Sequence, residues 1–246
     1  LKKILIIGGT GFIGFNLIKN LNKKEFLIFS ISRNKPSNLK KIKNVNYLFC
    51  DLSNKNKLKK VLKNRHFDYV VNFGGEINHK DKNKVYKSHY IGVKNLIEIL
   101  KKIKIKKFIQ IGSSIENGNF KSPQKEILIK KSKLIKSPYG YAKNLATKEL
   151  LKAYKNFDFP VIILRLYQVY GPYQETNRLI PFVILNCIKN KSFPCSNGKQ
   201  YRDFVYIDDV ILLIKKIIKK NFTCGKIFNV GFGRPIKVKY VIEKIV

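Results

Sequence analysis

Runs of apolar residues alternate along the chain with stretches whose apolar residues return every three or four positions. The runs at Ile4 to Ile7, Phe26 to Ile31, Val45 to Cys50, Asp68 to Phe73, Phe108 to Ile111 and Val161 to Leu166 have the length and near-continuity of strands buried on both faces. Between them, Phe12 opens a helical pattern, and Leu58, Val61 and Leu62 mark a second. The stretch from Lys84 to Lys104 carries Val85, Val93, Leu96, Ile97, Leu100 and Ile103 at helical spacing, and Tyr139 to Tyr154 gives another helix. This β-α alternation predicts an α/β fold, a doubly wound parallel sheet with helices on both faces. From about Pro172 the alternation loosens. Residues 1–171 are expected to form the sheet domain. Residues 172–246 are expected to form a smaller lobe over the carboxyl ends of the strands, with strands free to return to the sheet.

Composition changes this picture little. A chain of 246 residues with 44% hydrophobic content can bury a sizeable core. Its formal charge of +36 raises nucleic acid or acidic membranes as partners. The lysines are dispersed through every segment, however, and Arg33, Arg65, Arg165, Arg178, Arg202 and Arg234 are the only arginines. That distribution favours a solvated surface over a polyanion site. Cys50, Cys187, Cys195 and Cys224 show no metal-ligand spacing, so no metal is expected, and with no signal-peptide pattern they read as reduced cytoplasmic thiols. No apolar run approaches the roughly 18 residues of a membrane span.

Chemistry concentrates first in the opening stretch. The run Ile4 to Ile7 leads directly into Gly8-Gly9-Thr10-Gly11 and then into the helical pattern of Phe12, Ile13 and Gly14. Strand, glycine turn and helix in that order place the first helical N–H groups where an anion can approach, which points to a dinucleotide phosphate site. The spacing is G-x-x-G-x-x-G (Gly8, Gly11, Gly14). At the end of the second strand, Ile31-Ser32-Arg33-Asn34 offers no carboxylate for a ribose 2′-hydroxyl. An arginine fork can instead hold a 2′-phosphate, which favours NADP over NAD. Asp51-Leu52 closes the third strand, where the carboxylate can accept from the adenine amino group or cap the helix that begins near Asn54.

A second constellation is Ser113, Tyr139 and Lys143. Tyr139 and Lys143 stand four residues apart and share one helix face. An ammonium beside a phenol lowers a pKa that is otherwise about 10, so the tyrosine can exchange a proton near neutral pH. Ser113 closes the fifth strand, at the same sheet edge as the glycine turn, where its hydroxyl can orient a substrate oxygen.

With these residues in place the chain resembles the extended short-chain dehydrogenase/reductase family, in particular its nucleotide-sugar epimerase/dehydratase branch. The matching stretches are GGTGFIG (8–14), DL (51–52), IGSS (111–114), SPYGYAK (137–143), LRLYQVYGP (164–172) and QYRDFVYIDDV (200–210), in family order. The resemblance implies a Rossmann-type domain holding NAD(P) and a small C-terminal lobe gripping a nucleoside-diphosphate sugar. It implies Tyr139 as acid/base, Lys143 on the nicotinamide ribose, Ser113 on the reacting oxygen, and Ser114, Asn177 and Arg202 toward the substrate. Arg202 also has a guanidinium fork suited to phosphate, its alternative being a salt bridge to Asp208 or Asp209. A homodimer is expected. The sequence departs from the family at Gln168 and His89, where asparagine is usual, and at Asn117, where tyrosine is usual. Relatives usually continue past the position of Val246, so the lobe is expected to be incomplete.

The reaction expected is hydride transfer at a sugar carbon, as a C4 epimerase or a 4-keto reductase. A 4,6-dehydratase needs an acid and a base in the two places after the redox serine, and those hold Ser114 and Ile115. Glu116 lies one residue further on and enters only if the alignment slips. The alternatives are that dehydratase and a non-catalytic RNA-binding protein on the same fold.

Overall fold

The computed structural model describes residues 1–76, 78–119, 122–131 and 135–246. The first part alternates β1 (Lys2–Ile7), α1 (Phe12–Asn20), β2 (Phe26–Ser32), β3 (Val45–Phe49), α2 (Lys55–Leu62) and β4 (Tyr69–Asn72). A helical stretch follows as α3 (Lys82–Tyr86), a π segment (Lys87–Ile91) and α4 (Gly92–Leu100). Then come β5 (Lys107–Ser113), a 3₁₀ turn (Ser114–Asn117), α5 (Pro138–Phe157), β6 (Val161–Leu166) and β7 (Gln168–Tyr170). The remainder holds α6 (Leu179–Ile188), β8 (Tyr201–Arg202), β9 (Phe204–Tyr206), α7 (Ile207–Lys219), β10 (Lys226–Val230), β11 (Ile236–Lys237) and α8 (Val238–Ile245).

Seven strands form one sheet in the order β10-β6-β5-β4-β1-β2-β3, and every neighbouring pair is parallel. The chain winds outward from β1 in both directions, which makes this a Rossmann-type fold. Alternate residues of each strand serve opposite faces. Ile4 and Ile6 pack with Leu17 and Ile18 of α1 and Ile214 of α7, while Leu5 and Ile7 pack with Leu58 of α2, Leu96 of α4 and Leu150 of α5. Both faces are therefore covered, and the strands are apolar throughout for that reason.

The segment after Pro172 contributes more to this layer than its weak alternation suggests. α7 buries Ile207, Val210, Ile211, Ile214, Ile217 and Ile218, a full helical stripe, and β10 returns to pair with β6. The helix expected from Lys84 to Lys104 runs instead from Lys82 to Leu100 with five residues in π geometry, and β4 is two residues shorter than the apolar run. Outside the sheet stand α6, α8 and the short pairs β8–β11 and β7–β9. No helix of the described residues is long and apolar enough to cross a membrane.

Candidate active site

The strand ends open on one cleft of about 640 Å³. Gly8, Gly11, Phe12, Ile13 and Gly14 line one end of it. Gly8 adopts φ +77°, in the left-handed region, and its N–H donates to the Ile31 carbonyl at 2.7 Å. A Cβ on Gly14 would come within 2.4 Å of the Gly8 carbonyl oxygen, so α1 can start tight against the turn only with no side chain there. Gly11 is the N-cap of α1, and no side chain caps the helix. Its first amides are thus left to an anion.

Arg33, Asp51 and Leu52 line the neighbouring part of the cleft, where β2 and β3 end. Arg33 is not free: its Nη1 pairs with Glu76 Oε2 at 2.8 Å. An acid does therefore stand beside the end of β2, but it comes from the loop after β4, and its N–H donates to Ser88 Oγ at 2.9 Å. Asp51 Oδ1 accepts from the N–H and hydroxyl of Ser53, both at 2.8 Å. Asn54, not Asp51, caps α2, accepting from the Lys57 N–H at 2.9 Å. Buried Asn95 ties this loop to α4 by donating to the Leu52 and Ser53 carbonyls at 2.8 and 3.2 Å.

Ser113, Ser114, Tyr139 and Lys143 line the other end. Ser137 caps α5, accepting from the Gly140 N–H at 3.3 Å, and Pro138 opens the helix. Tyr139 and Lys143 thus fall on its first turns, with the ammonium 5.7 Å from the phenol ring centroid. Lys143 Nζ donates to the Ile111 carbonyl at 2.7 Å, and burial pulls its pKa down to about 8 against the opposing pull of Glu116. The phenol of Tyr139 is pushed above the usual tyrosine range by burial and then by the Glu116 charge, with Ser113's hydrogen bond and Arg178 working the other way. The expectation that Lys143 lowers this phenol is thereby corrected, because desolvation dominates.

Two histidines flank the tyrosine. His79 stacks on its ring at 4.1 Å between centroids, and His89 meets it edge-on at 4.9 Å. His89 lies in the π segment, and its Nε2 faces the Glu76 carbonyl at 3.1 Å, which makes it the protonated nitrogen. Burial drops its pKa to about 3, so the ring is neutral. Beneath Ser113 the fully buried Glu116 accepts from the Ser113 N–H (2.8 Å), Thr147 Oγ1 (2.8 Å) and Arg165 Nε (3.2 Å). Arg165 Nη1 also donates to Asn117 Oδ1 at 2.9 Å and to the Ile127 carbonyl at 2.8 Å, so the asparagine in a usual tyrosine position serves a buried guanidinium.

A second hollow of about 400 Å³ adjoins the cleft, and Gln168 lines both. It lies among Leu179, Phe182, Phe193, Gln200 and Arg202. Arg202 donates to the Tyr201 carbonyl at 2.8 Å, and no ion pair joins it to Asp208 or Asp209 among the described residues. Asn177 is exposed and lines neither hollow, whereas its neighbour Arg178 lines the cleft. Among the cleft residues that the sequence did not assign to the site are Arg178, Glu76 and His79, with His89, noted there only as a departure from the family. Arg178 was one position away from the residue chosen, while the others act through contacts across the fold.

The family model of the NAD dependent epimerase/dehydratase family matches residues 4–231. CDP-abequose synthase of Salmonella muenchen is 30% identical over 252 residues, spanning 99% of this chain and 80% of the relative. Among solved structures, a variant of UDP-glucuronic acid 4-epimerase from Bacillus cereus, in complex with UDP-4-deoxy-4-fluoro-glucuronic acid and NAD, superposes with a TM-score of 0.86 at 27% identity. That match covers 99% of this chain and 82% of the other. dTDP-glucose 4,6-dehydratase of Bacillus anthracis in complex with NAD gives 0.84 at 26% identity, covering 100% and 80%. The chain belongs to the NAD dependent epimerase/dehydratase family, a family of enzymes.

Proposed function

We propose that this member of the NAD dependent epimerase/dehydratase family carries out hydride transfer at a carbon of a nucleoside-diphosphate sugar, as a C4 epimerase or 4-keto reductase with Tyr139 as acid/base. The observation that carries this reading is the meeting of Ser113, Tyr139 and Lys143 with the glycine turn in one cleft. The residues present fit a dinucleotide. A turn that admits no Cβ at Gly14 and an uncapped helix start suit its diphosphate. When bound, NAD(P) supplies or takes up the hydride, a hydrogen with its electron pair, at the sugar carbon.

Tyr139 moves the matching proton, giving one to the sugar oxygen as a carbonyl becomes an alcohol and taking one back in the reverse direction. The Ser113 hydroxyl, which lines the same cleft as the phenol, orients that oxygen. Lys143, anchored on the Ile111 carbonyl, would hold the nicotinamide ribose. Arg178 in the cleft and Arg202 in the adjoining hollow suit the diphosphate of the substrate, with Ser114 beside the sugar and the apolar hollow taking its base. Residues 172–246 thus act as the substrate lobe, even though α7 and β10 complete the sheet layer. A preference for NADP over NAD rests on Arg33, whose guanidinium would exchange Glu76 for a 2′-phosphate. A homodimer in the cytoplasm completes the proposal, in keeping with the four free cysteines.

Epimerase or reductase chemistry is favoured over dehydration by what faces the sugar. Ser114 and Ile115 line the cleft, and Glu116 is turned beneath Ser113 with its carboxylate engaged by three donors. A serine hydroxyl is a poor acid, and isoleucine takes no proton. Supplying dTDP-glucose, GDP-mannose and CDP-glucose with NAD(P) should give no 4-keto-6-deoxy product. Its appearance at enzymatic rates would overturn this assignment.

A further inference from the structure

The end of β2 carries no carboxylate of its own, yet one is delivered there from the loop after β4 and is held in place. Glu76 pairs its Oε2 with Arg33 Nη1 at 2.8 Å, and both residues line the cleft beside Asp51 and Leu52. Its Oε1 accepts from the Asn78 N–H at 2.9 Å. Two adjacent residues of the π segment grip its backbone: the Glu76 N–H donates to Ser88 Oγ at 2.9 Å, and the Glu76 carbonyl accepts from His89 Nε2 at 3.1 Å. Ser88 Oγ in turn donates to the Val85 carbonyl at 3.3 Å. The preceding residue leaves no slack, because a Cβ on Gly75 would run into the His89 ring.

We propose that Glu76 is a specificity-determining residue for the cofactor. Its carboxylate accepts from the 2′-hydroxyl of the adenosine ribose in NAD(H) and opposes a 2′-phosphate at Arg33, so the preference for NADP is held back by a residue outside β2. This inference rests on the reading of the cleft as a dinucleotide site with Arg33 toward that ribose.

A carboxylate accepts from a hydroxyl and repels a phosphate, whereas a guanidinium attracts the phosphate. The two side chains therefore pull cofactor choice in opposite directions, and their pairing makes each weaken the other. A loosely held carboxylate would swing away as a phosphate arrived. Glu76 is tied at its backbone and at Oε1, and its side chain is 11% exposed against 44% for Arg33. The guanidinium is thus the partner that moves, and it takes a phosphate with the fixed anion still alongside. Asp51, the other carboxylate lining this end, is folded back on Ser53.

The experiment titrates NADH and NADPH, by cofactor fluorescence and with no substrate present, into wild type, Glu76→Gln, Ser88→Ala and Arg33→Ala. Glutamine keeps an acceptor for the Asn78 N–H and removes the charge. In Glu76→Gln, NADPH binding is expected to tighten roughly fivefold, as for release of a half-exposed ion pair. NADH binding is expected to weaken about two- to tenfold, as for one lost hydrogen bond. The ratio of the two dissociation constants thus moves toward NADPH by about tenfold or more. Ser88→Ala, which loosens the backbone grip and leaves the carboxylate intact, should move the ratio the same way but less. Should Glu76→Gln fail to fold, Ser88→Ala decides by the same ratio. A ratio that stays put, as when both cofactors weaken equally, would make Glu76 merely structural and overturn the proposal, and so would a shift toward NADH. Equal losses in Arg33→Ala would end the NADP reading on its own, with the Glu76→Gln ratio still deciding this one. A wild type that binds neither cofactor overturns both.

Discussion

At the glycine end of the cleft, backbone lies against backbone. Gly14 closes on the Gly8 carbonyl, and α1 begins without a side-chain cap. At the tyrosine end, side chains from distant segments meet, pinned by a buried carboxylate and guanidinium: Glu116 and Arg165 are 49 residues apart and both fully buried. The first end depends on the absence of atoms and carries no buried charge. The second depends on charges whose removal leaves a partner stranded. Binding of the cofactor and proton chemistry should therefore fail separately when each end is damaged.

The largest separation is expected from Tyr139→Phe. Turnover should drop by roughly 10²–10⁴-fold, the usual worth of a positioned acid or base, while dinucleotide binding is nearly unchanged. Steady-state kinetics beside a cofactor titration read both, and a variant with wild-type turnover would remove Tyr139 from the chemistry. The reverse pattern is expected from Gly14→Ala. Its Cβ would also lie 2.8 Å from Gly9 Cα, so backbone must shift, at a cost of about 1–3 kcal/mol. Cofactor affinity should fall accordingly, with the Tyr139 pH profile unmoved. Unaltered affinity would show that the turn is not the phosphate site.

How much of this was legible in the sequence follows the same division. The glycine turn is local, so seven consecutive residues suffice to find it. The strands were legible because burial on both faces makes them continuously apolar. Tyr139 and Lys143 were legible because one helix carries both. Glu76 was not, since it reaches Arg33 across 43 residues through the pairing of β4 with β1. The role of Asn117 was equally hidden, being set by a guanidinium on β6. Apolar content also misled in both directions after Pro172. α6 is nearly all apolar but buries only Val183, whereas α7, with two aspartates in its first turn, buries a full stripe against the sheet.

A smaller effect tests the border between the two ends. Arg33→Ala should weaken NADP(H) by about 1–3 kcal/mol, as for loss of a charge-assisted hydrogen bond, and leave NAD(H) nearly unchanged. The Glu76 pairing makes the lower part of that range the expected one, because the guanidinium gives up one anion to take the other. Fluorescence titration of both cofactors reads the difference, and equal losses would end the preference for NADP.

The central claim, hydride transfer at a sugar carbon without dehydration, is met most directly by following a deuterium label. The chain is given 4-²H-labelled NADPH with dTDP-, CDP- and GDP-4-keto-6-deoxy-hexoses and, separately, NAD(P)⁺ with the corresponding nucleotide hexoses carrying deuterium at C4. A reductase places the cofactor's deuterium on C4 of the keto-sugar product. An epimerase returns the C4 deuterium of the hexose to C4 in the inverted configuration. Either outcome, lost in Tyr139→Phe, is what this account predicts. Migration of the C4 deuterium to C6 with loss of water, or no transfer in any combination, would contradict it.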